Sequence, residues 1–222
     1  MTDQLPSIAI VGGTGALGSG LAFQWARAEY SVIVGSRDEA KGQESAQALN
    51  QRLSCNRVSS ASNVEAAAQA DLVVVTVPFS HHQQTMEQLR EVTSGKIVVD
   101  TTVPLVPPKV SRVQLSEYWP AAASAQQILG PDVQVVSAFH NVAAAHLQHE
   151  DSTDQSDILV CGNSPDARAE VIKLVEATGH RGWHAGPIDN SVVGEALTSV
   201  LIFINKRYGI KGSGIKIVGP TE

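Results

Sequence analysis

The chain has 222 residues, 43% hydrophobic, 17% charged and 5% aromatic, with a formal net charge of −6. At roughly 150 residues per domain this is one or two domains with ample aliphatic material for a core, which excludes a disordered chain. The acidic balance excludes a general nucleic-acid binder, which needs a basic footprint. Cys55 and Cys161 lie far apart and neither belongs to a Cys-x-x-Cys pair, so no disulfide framework or zinc site is indicated.

In chain order, residues 8–26 (IAIVGGTGALGSGLAFQWA) carry no charge over 19 positions, close to the length of a membrane span. Five of them are glycine, and the preceding MTDQLPS lacks a basic stretch and contains Asp3. The segment therefore reads as a short buried strand, a glycine turn and a helix. A cytoplasmic protein without a membrane anchor is expected. Apolar, largely β-branched runs predict strands over 8–11, 32–34, 72–77, 97–99, 133–136 and 158–160, with a weaker strand over 58–60. Helices are predicted over about 16–29, 38–53, 63–70, 80–91, 122–129 and 165–178. Ser36-x-x-Glu39 and Ser62-x-x-Glu65 have capping-box spacing, and Asn163-Ser164-Pro165 offers a cap followed by a first-turn proline.

This alternation predicts an α/β fold, a doubly wound parallel sheet of the Rossmann type with a small C-terminal α/β extension. The expected division is a nucleotide-binding domain over 1–145 and a smaller C-terminal portion over 146–222. Two stretches look irregular. Residues 101–120 contain Pro104, Pro107, Pro108 and Pro120, and a loop of that length is usually functional. Residues 146–157 contain Glu150, Asp151, Asp154 and Asp157, which read as a solvated acidic turn.

Gly13-x-Gly15-x-x-Gly18 follows the first strand and opens the first helix. Glycine permits close approach of the backbone to a ligand, and the helix N-terminus offers free N–H groups to a pyrophosphate. The end of the second strand discriminates between dinucleotides. An NAD site places a carboxylate there to bind the ribose 2′-hydroxyl. Here the strand ends in Gly35-Ser36-Arg37, with Lys41 one helical turn beyond Arg37. Ser36, Arg37 and Lys41 form a candidate clamp for a 2′-phosphate, which favours NADP(H).

Thr76-Val77-Pro78-Phe79, Asp100–Pro104 and Ser137–Asn141 follow later strands and are expected to converge over the nicotinamide. His140 is the titratable residue of interest, either as a hydrogen-bond donor to an electron-accepting ring or as an ordinary histidine at a strand end. No strong general acid or base stands out. None of Tyr30, Tyr118 and Tyr208 has Lys four positions on, and no Gly-x-Ser-x-Gly elbow occurs. His140, His146 and His149 cluster in sequence without a carboxylate at ligand spacing, so no metal is expected. Direct hydride transfer between two bound carriers fits this inventory, because the carriers supply the chemistry and the protein supplies orientation.

IAIVGGTGALGSGLA, VIVGSRDEAK, TVPFSHH, KIVVDTTVPL, VVSAFHNVAAAHL and LIFINKRYGIKGSGIKI together resemble the NADPH-dependent coenzyme F420 reductase family over nearly the whole chain. The resemblance implies a homodimer that moves hydride reversibly between NADPH and a 5-deazaflavin. By position, it implies that Thr14, Gly15, Ala16 and Leu17 hold the pyrophosphate. Ser36, Arg37 and Lys41 would hold the 2′-phosphate, while Val77, Phe79, Leu105 and Ala144 line the rest of the NADP site. His140, Asn141 and Val142 would lie beside the deazaflavin. Lys206, Arg207, Lys211 and Lys216, offset by Glu222, make a basic C-terminus that could attract an anionic coenzyme, with Gly209, Gly212, Gly214 and Gly219 letting the backbone fold over its ring. Two other readings stay open: a reductase of this fold acting on flavin or ferric acceptors, and a module that senses NADP(H) without turnover.

Overall fold

The computed structural model describes residues 5–114, 120–149 and 156–219. Its strands are β1 (Ile8–Val11), β2 (Val32–Ser36), β3 (Val58–Ser62), β4 (Leu72–Val75), β5 (Ile97–Asp100), β6 (Gln134–Ser137), β7 (Asp157–Gly162) and β8 (Arg181–His184). Its helices are α1 (Ala16–Arg27), α2 (Glu39–Leu53), α3 (Asn63–Gln69), α4 (Phe79–Leu89), α5 (Ala121–Leu129), α6 (Pro165–Glu176) and α7 (Ser191–Tyr208). The sheet order is β3-β2-β1-β4-β5-β6-β7-β8. Strands β1 to β6 run parallel, β7 pairs antiparallel with β6, and β8 is parallel to β7. The predicted doubly wound sheet is present, and the C-terminal extension continues it.

Strand β1 shows why the pattern gives this architecture. All four of its residues are fully buried. Ile8 and Ile10 enter one core with Leu21, Trp25, Val34 and Leu174, while Ala9 and Val11 enter the other with Val73, Met86 and Val98. Side chains alternate across a strand, so an unbroken apolar run feeds both faces of a covered sheet. Each Val, Leu or Ile side chain so buried contributes about 1.5–3 kcal/mol. Trp25 joins the two parts of the chain. Its indole N–H donates to the Leu174 carbonyl at 2.9 Å, and its ring meets Phe139 edge to face at 5.8 Å.

Several boundaries differ from the sequence reading for local reasons. Strand β4 stops at Val75; Thr76 still donates its N–H to the Val11 carbonyl at 2.9 Å, but Pro78, two residues on, has no N–H for the ladder. The Ser62–Glu65 capping box forms as predicted, and Ser164 caps α6 with Pro165 behind it. The box predicted at Ser36 does not form. Asp38 caps α2 by accepting the Lys41 N–H, and Ser36 Oγ accepts the Asp38 N–H instead. A carboxylate immediately before the helix outcompetes a hydroxyl two residues further back. Strand β3 extends to Ser62, beyond the predicted 60, and lies at the sheet edge.

Two elements escape the sequence pattern, β8 and α7. Strand β8 is an edge strand of Arg-Gly-Trp-His, without alternation. In α7 apolar residues occur on the outward side as well as the inward one, so the pattern does not mark a core-facing helix. The segment 188–208 is long and apolar enough, by length and composition alone, to cross a membrane. Its polar positions Ser191, Glu195 and Ser199 nevertheless pack inward against the protein. The predicted solvated acidic turn is also corrected at Asp157. That residue is buried, and its carboxylate accepts the Ile217 N–H at 2.7 Å, pinning the C-terminal segment to the start of β7. Glu150, Asp151, Asp154, Tyr118 and Glu222 lie outside the described residues.

Candidate functional site

The C-terminal ends of β1, β2, β4 and β5 open onto one cleft of about 920 Å³. Parallel strands force this convergence, since every helix that follows a strand starts from the same edge of the sheet. The glycines of the first turn divide the work. Gly12 turns the chain with φ +77, a conformation L side chains rarely adopt. A Cβ on Gly13 would come within 2.8 Å of the Ile10 carbonyl, and one on Gly18 within 2.7 Å of Gly13 Cα and 2.8 Å of Thr76 Oγ1. Gly13 thus lets the turn fold close onto β1, Gly18 lets α1 press against that turn and Thr76, and neither lines the cleft. Thr14, Gly15, Ala16 and Leu17 do line it. Gly15 occupies the N-cap of α1 and no side chain caps that helix. Its first-turn N–H groups and partial positive charge are left to a ligand.

Ser36, Arg37 and Lys41 come together at the β2 end of the same cleft, as predicted from their spacing. Arg37 is exposed, and Lys41 Nζ stands 3.7 Å from Asp38 Oδ2, a largely solvated pair that holds the lysine only weakly. Two cations and a hydroxyl therefore face the cleft at that end, and they fit a phosphate. The sequence reading missed Asn63. Its side-chain oxygen accepts the Gly12 N–H at 3.2 Å, and the residue lines the cleft beside the glycine turn. Its place one residue after the Ser62 cap is the only signal that could have found it.

Val77, Phe79 and Leu105 line the cleft, together with Thr101, Thr102 and Val103. Behind these walls, the Asp100 carboxylate lies 2.7 Å from His82 Nε2, and its other oxygen accepts the Thr102 N–H at 3.0 Å. Burial alone would raise the Asp100 pKa, but the charge and hydrogen bond of His82 hold it below the ordinary carboxylate value. Burial alone would lower the His82 pKa, and Asp100 reverses that, leaving it above the ordinary histidine value. Both shifts favour the charged forms, imidazolium beside carboxylate.

The third predicted loop behaves differently. His140, Asn141, Val142 and Ala144 are not part of the cleft wall. His140 is buried against Gly194 of α7, and its Nε2 has no hydrogen-bond partner among the described residues. Burial brings its pKa down to about 4, a fall that Asp100 only partly counters, so the ring is neutral. Asn141 donates to the Asp157 carbonyl at 2.9 Å, and half-buried Val142 packs on the core. Glu195 caps α5, accepting the Ala121 and Ala122 N–H groups at 2.8 and 3.2 Å and the Ser191 hydroxyl at 3.0 Å. Burial nevertheless pushes its pKa up to about 7. The C-terminal lysines do not line the cleft either. Gly212 and Gly214 instead let the segment lie against His146 and Ser156.

An uncapped helix start, a glycine turn without side chains and a cationic strand end, all opening on one elongated cleft, define a dinucleotide-binding protein of the Rossmann class. The comparisons agree. A family model described as "NADP oxidoreductase coenzyme F420-dependent" matches residues 7–104. The F420-dependent NADP reductase of Methanocaldococcus jannaschii is 38% identical over 218 residues, which cover 95% of this chain and 97% of that protein. Its counterpart from Methanothermobacter thermautotrophicus is 32% identical over 222 residues, covering 97% and 96%. A crystal structure from Arthrobacter sp. FB24, provisionally described as an F420-dependent NADP reductase, shares the fold with a TM-score of 0.76 at 24% identity, covering 97% of this chain and 100% of that one. The chain belongs to the F420-dependent NADP reductase family.

The buried neutral His140 generates a prediction. Its folded pKa of about 4 lies below the unfolded value near 6.5, so its contribution is complete above pH 6.5 and is lost as pH falls through 4. The stability gap between wild type and His140→Leu should therefore shrink by about 3 kcal/mol between pH 7 and pH 4, measured by urea unfolding at several pH values. A gap that stays constant with pH would show that the ring is not buried as a neutral group.

Proposed function

We propose that this protein transfers hydride reversibly between NADP(H) and the deazaflavin coenzyme F420. The observation that carries this reading is the full-length similarity to F420-dependent NADP reductases, joined to a cleft whose β2 end presents Arg37 and Lys41 where an NAD site presents a carboxylate. When bound, the reduced nicotinamide supplies the hydride and the deazaflavin accepts it. The chain's own residues bind and orient. The N–H groups around Thr14–Leu17 take the pyrophosphate, and Ser36, Arg37 and Lys41 take the 2′-phosphate. Those two anchors lie over β1 and β2, so the nicotinamide extends toward β4 and β5, where Val77, Phe79 and Leu105 wall the cleft.

The acceptor belongs on the β6 side, beyond the nicotinamide. There the half-buried chain at 142–144 offers a surface, with His140 and Asn141 supporting it from below. On this reading residues 1–145 hold NADP(H), and 146–222 complete the acceptor side. No proton donor is needed at the transferred atom, which agrees with a neutral His140 and with walls that are mostly apolar.

We also propose a homodimer formed through α7. Val193 and Val200 are 57% and 45% exposed, Leu197 and Ile204 are half-buried beside them, and Phe203 is 57% exposed at the margin. Positions 193, 197, 200 and 204 share one helix face. A contiguous apolar stripe of this kind calls for a cover, and a second copy presents the same self-complementary stripe.

Three measurements test this reading. Mixing the protein with NADPH and F420 in a stopped-flow absorbance experiment should bleach the deazaflavin, and no bleaching would exclude the assigned acceptor. Arg37→Ala should weaken NADPH by about 1.5–3 kcal/mol, the value of a charged hydrogen bond, while NADH changes little. Equal losses for both dinucleotides in a binding titration would remove Arg37 from the clamp. Phe203→Glu should halve the mass seen by light scattering, whereas a wild type that is already monomeric would discard the dimer.

A further inference from the structure

Beneath the cleft lie four buried titratable side chains that hydride transfer itself does not use. His82 of α4, Asp100 of β5, His140 after β6 and Glu195 of α7 are each no more than 5% exposed. His82 and Asp100 are in direct contact, with Nε2 2.7 Å from Oδ2. Stability does not account for that contact, since a buried ion pair is often matched or surpassed by apolar residues of similar volume. Its position suggests another role. Asp100 fixes the turn that carries Thr101 and Thr102 into the cleft, by accepting the Thr102 N–H at 3.0 Å. Thr101 is tied in turn to β4, its N–H and hydroxyl both donating to the Val75 carbonyl at 3.2 and 2.9 Å. The His82 ring stacks beneath Phe79, with centroids 6.3 Å apart and planes at 26°. Phe79 forms the facing wall. One buried contact therefore spans both walls at the β4–β5 end of the cleft.

We propose that His82 and Asp100 are positioning residues for hydride transfer, locking the Phe79 wall to the Thr101–Thr102 wall so that their contact sets the transfer rate and not the affinity for NADP(H). This rests on NADP(H) occupying the cleft with its nicotinamide over β4 and β5. The dinucleotide is anchored at its phosphates, far along the cleft, so loosening the other end leaves binding nearly intact. Transfer is less tolerant, because a displacement of about 1 Å at the reacting end costs on the order of 100-fold in rate.

The lock depends on charge. Asp100 faces His82 from β5 and Glu195 acts on it from α7, both favouring the imidazolium, while His140 lies in the field of Asp100. Raising the pH deprotonates His82 and weakens the contact, so the wild-type transfer rate acquires an alkaline limb. Gln at position 82 can place an amide nitrogen near the Nε2 position, keeping a hydrogen bond to Asp100 without a titrating group.

The test is stopped-flow reduction of F420 at saturating NADPH from pH 6 to pH 9, on wild type, His82→Gln and Asp100→Asn, with NADPH dissociation constants from fluorescence titration. Titration of the acceptor is common to all three proteins and cancels in their ratios. The expected result is an alkaline limb in wild type that is absent in His82→Gln. Asp100→Asn should lose about tenfold or more in rate with less than about a threefold change in NADPH affinity. Wild-type rates and pH profiles in both variants would overturn the proposal, as would parallel losses of rate and affinity. If Asp100→Asn does not fold, the pH limb of His82→Gln decides alone. A wild type that binds NADPH but leaves F420 unreduced would overturn the parent reading of function, and one that does not bind NADPH would take this proposal with it.

Discussion

The crevice depends on how closely α1 can approach the ends of β1 and β4. With glycine at positions 13 and 18, the turn backbone lies against Ile10, and the helix backbone at Gly18 lies against Gly13 and Thr76, at distances no Cβ would permit. That contact aims the α1 axis and its uncapped N–H groups along the cleft. The Thr76 hydroxyl, donating to the Val11 carbonyl at 3.0 Å, holds β4 in register at the same point. A methyl group at position 18 would push the helix off the sheet and withdraw the donors from a pyrophosphate. Ser36 and Arg37 are then placed by the parallel register of β2 on β1, and Thr101 by that of β5 on β4. The binding geometry thus follows from sheet register once the first turn is closed.

Electrostatics differs between the two ends of this cleft. At the β2 end, Arg37 and Lys41 are in water, where an exposed cation costs little and Coulomb attraction favours a phosphate. At the β4–β6 end the polar groups are dry. There Asp100 stays ionised only because His82 and the Thr102 N–H neutralise and hydrogen-bond it. His140, with no such partner, remains neutral, and Glu195 sits near pH 7 despite three donors. The difference suits the two tasks. Affinity tolerates mobile side chains, whereas transfer of a hydride requires atoms held in place without water.

Much of this was legible in the sequence where a residue's role is local. The glycine turn, the Ser-Arg-Lys spacing and the Ser62 and Ser164 caps act through neighbours a few positions away, and their pattern carries them. The sheet too was legible, because an apolar β-branched run has few alternatives. What could not be read is what depends on distant partners. Asp157 looks like one of several surface carboxylates until Ile217 is found to donate to it across 60 positions. His140 looks reactive at a strand end, and only the approach of Gly194 shows it packed under α7. His82 and Asp100 belong to two separately recognisable segments, yet nothing in either segment says that they touch.

Helix α7 brings these lines together. Its inner face supplies Glu195, which caps α5, and Gly194, whose missing side chain makes room for His140. Its Thr198 hydroxyl donates to the His140 carbonyl at 2.7 Å, fixing the loop after β6. The outer face carries the apolar stripe proposed to meet a second copy. A helix held on one side by a buried carboxylate and on the other by a partner would be fixed more firmly than either contact could manage alone. The loop after β6, which rests on that helix and borders the proposed acceptor surface, would inherit that rigidity. Packing one helix between the Rossmann sheet and the proposed partner would give a second carrier a stiff floor.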